Sequence, residues 1–230
     1  MGEHSDQTVA GELRAVLFDM DGTLVDTEPY WIASEYALVR EFGGTWNDEH
    51  SHNLVGNALL TSAAYIRQHG AVDLPPEEIV DRMLTSVLRA IEREMPWRPG
   101  ARELLASLRA AGVPCALVTM SYDILAQAMV RQLPPGTFDA IVTGDQVTDG
   151  KPHPEPYLTA AARLGVRPQD CVAVEDSATG VNSALAAGCV VVAIPHAVAL
   201  PAGTGHVRRE SLEELSVEGL RELLRAHQRH

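Results

Sequence analysis

From Arg98 onward the chain alternates short β-branched runs with amphipathic stretches: ARELLASLRAAG, CALVT, ILAQAMVRQL, AIVTG, PYLTAAARLG, CVAVE, ATGVNSALAAG and VVVAI, separated by short gaps. Strand-helix alternation of this kind implies parallel pairing, with helices covering both faces of the sheet. Gly112, Gly165 and Gly188 close three of the amphipathic stretches, where a left-handed helix terminus favours a residue without a Cβ. The pattern predicts an α/β fold.

Between about Glu28 and Trp97 the texture changes. No β-branched runs occur, and YWIASEYALVREFG and PPEEIVDRMLTSVLRAIERE read as helices, with Ile79, Met83, Val87 and Ile91 forming one apolar stripe. The expectation is an α-helical insertion over residues 28–97, ending at the turn-rich Pro96-Trp97-Arg98-Pro99-Gly100. Residues 14–27 and 98–230 would then form the core, and 1–13 a polar tail.

Ahead of the insertion stands FDMDGTLVD, which sets three carboxylates, Asp19, Asp21 and Asp26, within eight residues directly after the apolar Ala15-Val16-Leu17. A turn after a strand accounts for Gly22 but not for Asp19. An acid at the strand end, with a second two residues on, faces the carboxyl edge of the sheet, where open α/β folds bind ligands. Another strand, CVAVE, ends in Glu175-Asp176. If the two strands are neighbours, the acids repel one another, and an oxygen-rich cluster of that kind suits Mg²⁺. CALVT delivers Thr119 to the same edge, and Gly150-Lys151-Pro152 places a lysine in a loop before a helix.

Composition narrows the partners. A chain of 230 residues, 46% of them apolar, can bury a substantial core. Its formal charge of -13 repels phosphate backbones and anionic lipid surfaces, which excludes nucleic acid and membrane as expected partners. Cys115, Cys171 and Cys189 are far apart, without zinc or disulfide spacing, and two lie inside apolar runs. They read as small buried hydrophobes in a reducing cytoplasm. The first residues show no apolar core or cleavage site of a secretory signal.

Four motifs now stand in order: DMDGT at Asp19–Thr23, LVTMS ending at Ser121, GKPHPEPY from Gly150, and VEDSATGVNSALAAG from Val174. Together they resemble the haloacid dehalogenase superfamily of aspartate-based phosphotransferases. The resemblance covers nearly the whole chain after Arg14 and implies a Rossmann-like core with an inserted helical cap that selects substrate. It also implies that Asp19 is the nucleophile and Asp21 the general acid and base. Mg²⁺ would be held by Asp19, the main-chain carbonyl of Asp21, and Asp176, with Glu175 in support. Thr119 would bond a phosphoryl oxygen, and Lys151 would neutralise charge on Asp19 and the phosphoryl group.

The family's dehalogenases lack the second aspartate of the first motif. Its presence here, as Asp21, implies a phosphoester, whose alkoxide leaving group needs a proton. Continued by VDTEP, the first motif looks most like the branch of β-phosphoglucomutase and the sugar-phosphate phosphatases. Mutases of that branch carry a histidine shortly after the first motif and basic residues in cap loops. The position here is Trp31, and the loop Leu54–Leu60 holds Asn57 and aliphatic residues instead.

The expected activity is thus a Mg²⁺-dependent phosphatase acting on a small phosphorylated metabolite, a sugar or polyol phosphate being the first candidate. The expected assembly is a monomer or weak dimer. A phosphomutase is the alternative, and a non-catalytic binding module the rival from another class. His50-Ser51-His52 reads as a solvated loop, Asp26 as a hinge or helix-cap residue, and SLEELSVEGLRELLRAHQRH as one terminal amphipathic helix.

Overall fold

The computed structural model describes residues 12–54, 59–196, 200 and 205–229. The chain divides into two compact units, one made by the stretches that end at Val25 and resume at Trp97, the other by Asp26–Pro96.

Among the described residues, the first unit is a Rossmann-like sheet of six parallel strands. These are β1 (Ala15–Phe18), β2 (Cys115–Val118), β3 (Ala140–Val142), β4 (Cys171–Glu175), β5 (Val190–Ala193) and β6 (His206–Arg208), in the order β3-β2-β1-β4-β5-β6. Every residue of β1, β2, β4 and β5 is buried, which is why these strands are near-continuous apolar runs rather than alternating ones. The sixth strand is absent from the sequence reading. His206-Val207-Arg208 is short and half exposed at the sheet edge, and so carries no hydrophobic pattern to detect.

In the second unit, α1 (Glu28–Glu41), α2 (Asp48–His52), α3 (Leu59–His69) and α4 (Pro76–Arg93) form the insertion. Helices α1 and α3 both pack against α4, which buries Ile79, Val80, Met83, Leu84, Val87 and Ile91. Burying each such side chain contributes about 1.5–3 kcal/mol. The N-cap of α1 is Thr27; Asp26 precedes it and donates its N–H to the Pro96 carbonyl at 2.9 Å. Glu35 is buried and accepts the Trp46 indole N–H at 3.1 Å; burial raises its carboxyl above the usual range despite that bond. His50 stacks on Trp46 at 4.6 Å and bonds the Tyr65 hydroxyl through Nδ1 at 3.0 Å, whereas His52 donates from Nδ1 to the Asp48 carbonyl at 2.6 Å. The two histidines thus have separate local partners.

The core helices are α5 (Ala101–Ala110), α6 (Asp123–Val130), α7 (Glu155–Leu164), α8 (Ala178–Ala187) and α9 (Val217–His227). Gly165 and Gly188 end α7 and α8 with φ of 67° and 91°, a left-handed cap that L side chains strain to adopt. The C-terminal run is two elements rather than one helix. A 3-10 turn at Leu212–Glu214 precedes α9, and the Ser216 hydroxyl caps α9 by accepting the Gly219 N–H at 3.1 Å. A serine that caps one helix interrupts any longer one. All three cysteines are free and buried, and burial pushes the Cys115 and Cys171 thiols up to about 12. Among the described residues, no helix is long and apolar enough to cross a membrane.

Candidate active site

The two acid-tipped strands are neighbours. Strand β1 pairs with β4 in the register Phe18↔Val174, and one further rung, the Asp19 N–H to the Val174 carbonyl at 3.0 Å, sets Asp19 beside Glu175. The chain then turns through Gly22, at φ 85°. A Cβ there would lie 2.0 Å from Asp176 Oδ2, so only glycine lets this turn approach the acid. Strand β2 lies on the other side of β1 and is followed by Thr119, whose N–H donates to the Val142 carbonyl at 2.9 Å.

These strand ends hold one connected polar network. Lys151, with 5% of its side chain exposed, donates from Nζ to Asp19 Oδ1 at 2.7 Å, Glu175 Oε1 at 2.6 Å and the Val118 carbonyl at 2.8 Å. An ammonium has three N–H groups, and all three are used within the protein. Glu175 is fully buried. Its Oε1 also accepts the Tyr157 hydroxyl at 2.5 Å, and its Oε2 accepts the Asp176 N–H and the Ser177 hydroxyl, each at 3.3 Å. Asp21 Oδ2 accepts from the Ser121 hydroxyl at 2.7 Å and from Thr119 Oγ1 at 3.3 Å, while the Ser121 N–H donates to Thr119 Oγ1 at 2.9 Å.

One buried oxygen in this network, Asp19 Oδ2, has no hydrogen-bond partner. Carboxylate oxygens of Asp19, Glu175 and Asp176 lie within 4.8 Å of one another. Burial raises the Asp19 carboxyl well above its ordinary range; Lys151 opposes the rise, and Glu175 and Asp176 add to it. Burial and the charge of Glu175 push Asp176 up to about 7. Burial pulls Lys151 down, but its pairing with Asp19 and Glu175 outweighs that and leaves it raised. Three carboxylates against one lysine leave a formal charge of about −2, and one buried acceptor oxygen of Asp19 is left unbonded; both features match a divalent cation.

Of the residues singled out in the sequence, Asp19, Asp21, Thr119, Lys151, Glu175 and Asp176 come together here. Asn57 lies outside the described residues. A second acidic group, Asp149, His153 and Glu155, is local turn structure: Glu155 accepts the N–H groups of Thr148 and Asp149, and its own N–H donates to His153 Nδ1. The sequence reading missed four contributors. Ser121 holds Asp21. Tyr157 reaches Glu175 from α7. Arg98 donates to the Gly22 carbonyl. Gly180 makes room for Glu175, because a Cβ there would lie 2.0 Å from its carboxyl. Ser121 and Tyr157 stand inside the quoted motifs, but their roles depend on which strands are adjacent.

A Rossmann-like sheet with paired acids and a lysine at its carboxyl edge is the architecture of an aspartate-based phosphohydrolase. The chain belongs to the haloacid dehalogenase-like hydrolases, whose family model matches residues 13–188. Hexitol phosphatase B of Escherichia coli (strain K12) is 31% identical over 221 residues, which cover 91% of this chain and 97% of that protein. Among solved structures, CbbY from Rhodobacter sphaeroides in complex with phosphate aligns at a TM-score of 0.79 and 29% identity, over 90% of this chain and 99% of that one. A putative β-phosphoglucomutase from Thermotoga maritima aligns at a TM-score of 0.72 and 28% identity, over 94% and 99%. The chain is a phosphoric monoester hydrolase.

Proposed function

We propose that this chain is a Mg²⁺-dependent phosphatase that hydrolyses a small phosphorylated metabolite through an aspartyl-phosphate on Asp19. The observation that carries the reading is the buried Asp19 carboxylate, held by Lys151 at Oδ1 and left without a partner at Oδ2. Asp19 attacks the phosphorus in line, forming an acyl phosphate as the ester P–O bond breaks, and Asp21 protonates the departing alkoxide. Asp21 then takes a proton from water. The water oxygen bonds phosphorus, inorganic phosphate leaves, and Asp19 is restored.

Thr119 Oγ1, whose bond to Asp21 is long at 3.3 Å, can turn its hydrogen to a phosphoryl oxygen. Lys151, with every N–H committed, acts on the phosphoryl group by charge rather than by contact. Asp19, the Asp21 carbonyl and Asp176, with Glu175 behind them, would hold Mg²⁺, which when bound neutralises charge on the transferring phosphoryl group. The insertion is the proposed substrate-selecting unit. The name hexitol phosphatase points first to polyol phosphates.

The test is release of p-nitrophenol from p-nitrophenyl phosphate, followed by a phosphometabolite panel that includes hexitol phosphates. EDTA should abolish activity and Mg²⁺ restore it, while Ca²⁺, with its larger and looser shell, should support little turnover. Full activity after thorough chelation rules out the metal assignment.

The second reading, a phosphomutase, is favoured by the likeness to the putative β-phosphoglucomutase. A mutase must hold a second phosphate while water is kept from the acyl phosphate. Arg40 and Arg67, the basic residues nearest in sequence to the loop 54–60, are both exposed, and Arg67 pairs with Asp73 at 3.4 Å. With β-glucose 1-phosphate and a trace of glucose 1,6-bisphosphate, inorganic phosphate should form faster than glucose 6-phosphate. The reverse order overturns the hydrolase reading.

A further inference from the structure

Tyr157 is fully buried in a core cluster that includes Ala160 and Val181, yet its hydroxyl leaves that apolar surrounding to end on Glu175 Oε1 at 2.5 Å. The same oxygen accepts Lys151 Nζ at 2.6 Å, and Lys151 in turn holds Asp19 Oδ1 at 2.7 Å. The Tyr157 ring also lies under the ammonium, with Nζ 5.3 Å from its centroid. A phenylalanine would fill the same space with no polar group to satisfy, so packing alone does not require the hydroxyl.

We propose that Tyr157 is a positioning residue for the nucleophile: by donating to Glu175 Oε1 it limits how strongly that carboxylate draws Lys151, and so keeps the lysine on Asp19. This rests on Asp19 being the nucleophile. The ammonium is shared between two carboxylates, and a carboxylate with an added hydrogen-bond donor attracts it less. Without the hydroxyl, Lys151 moves toward Glu175 and Asp19 carries more of its own negative charge. Asp19 is then held less firmly for in-line attack on a bound phosphoester, which slows the chemical step, whereas a dication is attracted more. The packing of Gly180 against the Glu175 carboxyl, together with the donors on Oε2, keeps Glu175 from swinging away to relieve the change.

Tyr157→Phe separates this role from a structural one, since it removes one hydroxyl and leaves the ring beneath Lys151. The expected result is a kcat lower by about tenfold, the size of one lost hydrogen bond to a charged group, with KM within about twofold. In calorimetry, Mg²⁺ should bind the variant about threefold more tightly, the direction set by a less neutralised Asp19. The melting temperature should fall by only about 3–6 °C, the cost of one buried hydrogen bond to a charged group in a chain of this size, since the buried area is nearly unchanged. Slower turnover with tighter Mg²⁺ binding supports the proposal. Unchanged kcat and Mg²⁺ affinity overturn it, as does a collapse in melting temperature with weaker Mg²⁺ binding, which would make the hydroxyl a packing feature. The calorimetry needs no turnover. If the wild-type protein binds Mg²⁺ but hydrolyses no phosphoester, the phosphatase reading falls and Tyr157 is judged on affinity alone; if it binds no Mg²⁺, both fall.

Discussion

Asp19→Asn should lower phosphatase turnover by on the order of 10⁴-fold or more, the scale seen when a covalent nucleophile is removed, while the protein stays folded. The amide is nearly isosteric, and its carbonyl can still accept from Lys151 where Oδ1 now does. It cannot form an acyl phosphate, and it removes one negative ligand from the acid cluster. The buried carboxyl is held well above its ordinary range, first by burial and also by Glu175 and Asp176. A group with a raised folded pKa costs stability once the pH passes its unfolded value. The asparagine variant should therefore melt at the same temperature as the parent, or higher, in Mg²⁺-free buffer near pH 7. Activity close to that of the parent would end the covalent mechanism.

Lys151→Met should have the largest combined effect on activity and stability. The lysine is the partner of two buried carboxylates, at 2.7 Å and 2.6 Å, and its own pKa is raised by them despite burial. Removing one member of a buried ionic group leaves uncompensated charge and costs about 3–5 kcal/mol, a drop in melting temperature on the order of 10 °C for a chain of this size. Turnover should fall about 10²- to 10³-fold, because a charge aimed at the transferring group is lost. Without the lysine, the Asp19 carboxyl rises further in the folded state, so the variant binds protons more tightly folded than unfolded. Its stability deficit should thus narrow as pH falls from 8 toward 5 and widen as pH rises. Thermal melts of the two proteins across that range measure it, and a deficit that does not depend on pH would contradict the ion-pair account.

Much of this molecule is legible without coordinates because element type is encoded locally. The runs CALVT, CVAVE and VVVAI become β2, β4 and β5, and the stripe Ile79, Met83, Val87 and Ile91 becomes the buried side of α4. Each depends only on the period at which neighbouring residues repeat. The acids at Asp19 and Asp176 are conspicuous for a related reason: charge just after an apolar run has no packing explanation. Elements without a period were not legible. Strand β6 is a three-residue edge strand, and the break at Ser216 depends on a hydroxyl choosing a cap over a continued helix.

What the sequence by itself determined is the elements that carry a period, the acids and threonine that follow the strands, and the lysine in the loop before α7. Only the tertiary structure decided how those ends meet. Lys151 and Asp19 are 132 residues apart in the chain, and nothing within a helix or strand period specifies which of two carboxylates an ammonium will share, or that a tyrosine on α7 will claim the same oxygen. Those choices follow from strand order, which puts β4 beside β1, and from close approaches that Gly22 and Gly180 permit because they lack a Cβ. Strand order is set by how whole faces bury one another, a sum over many long-range contacts that no local stretch contains.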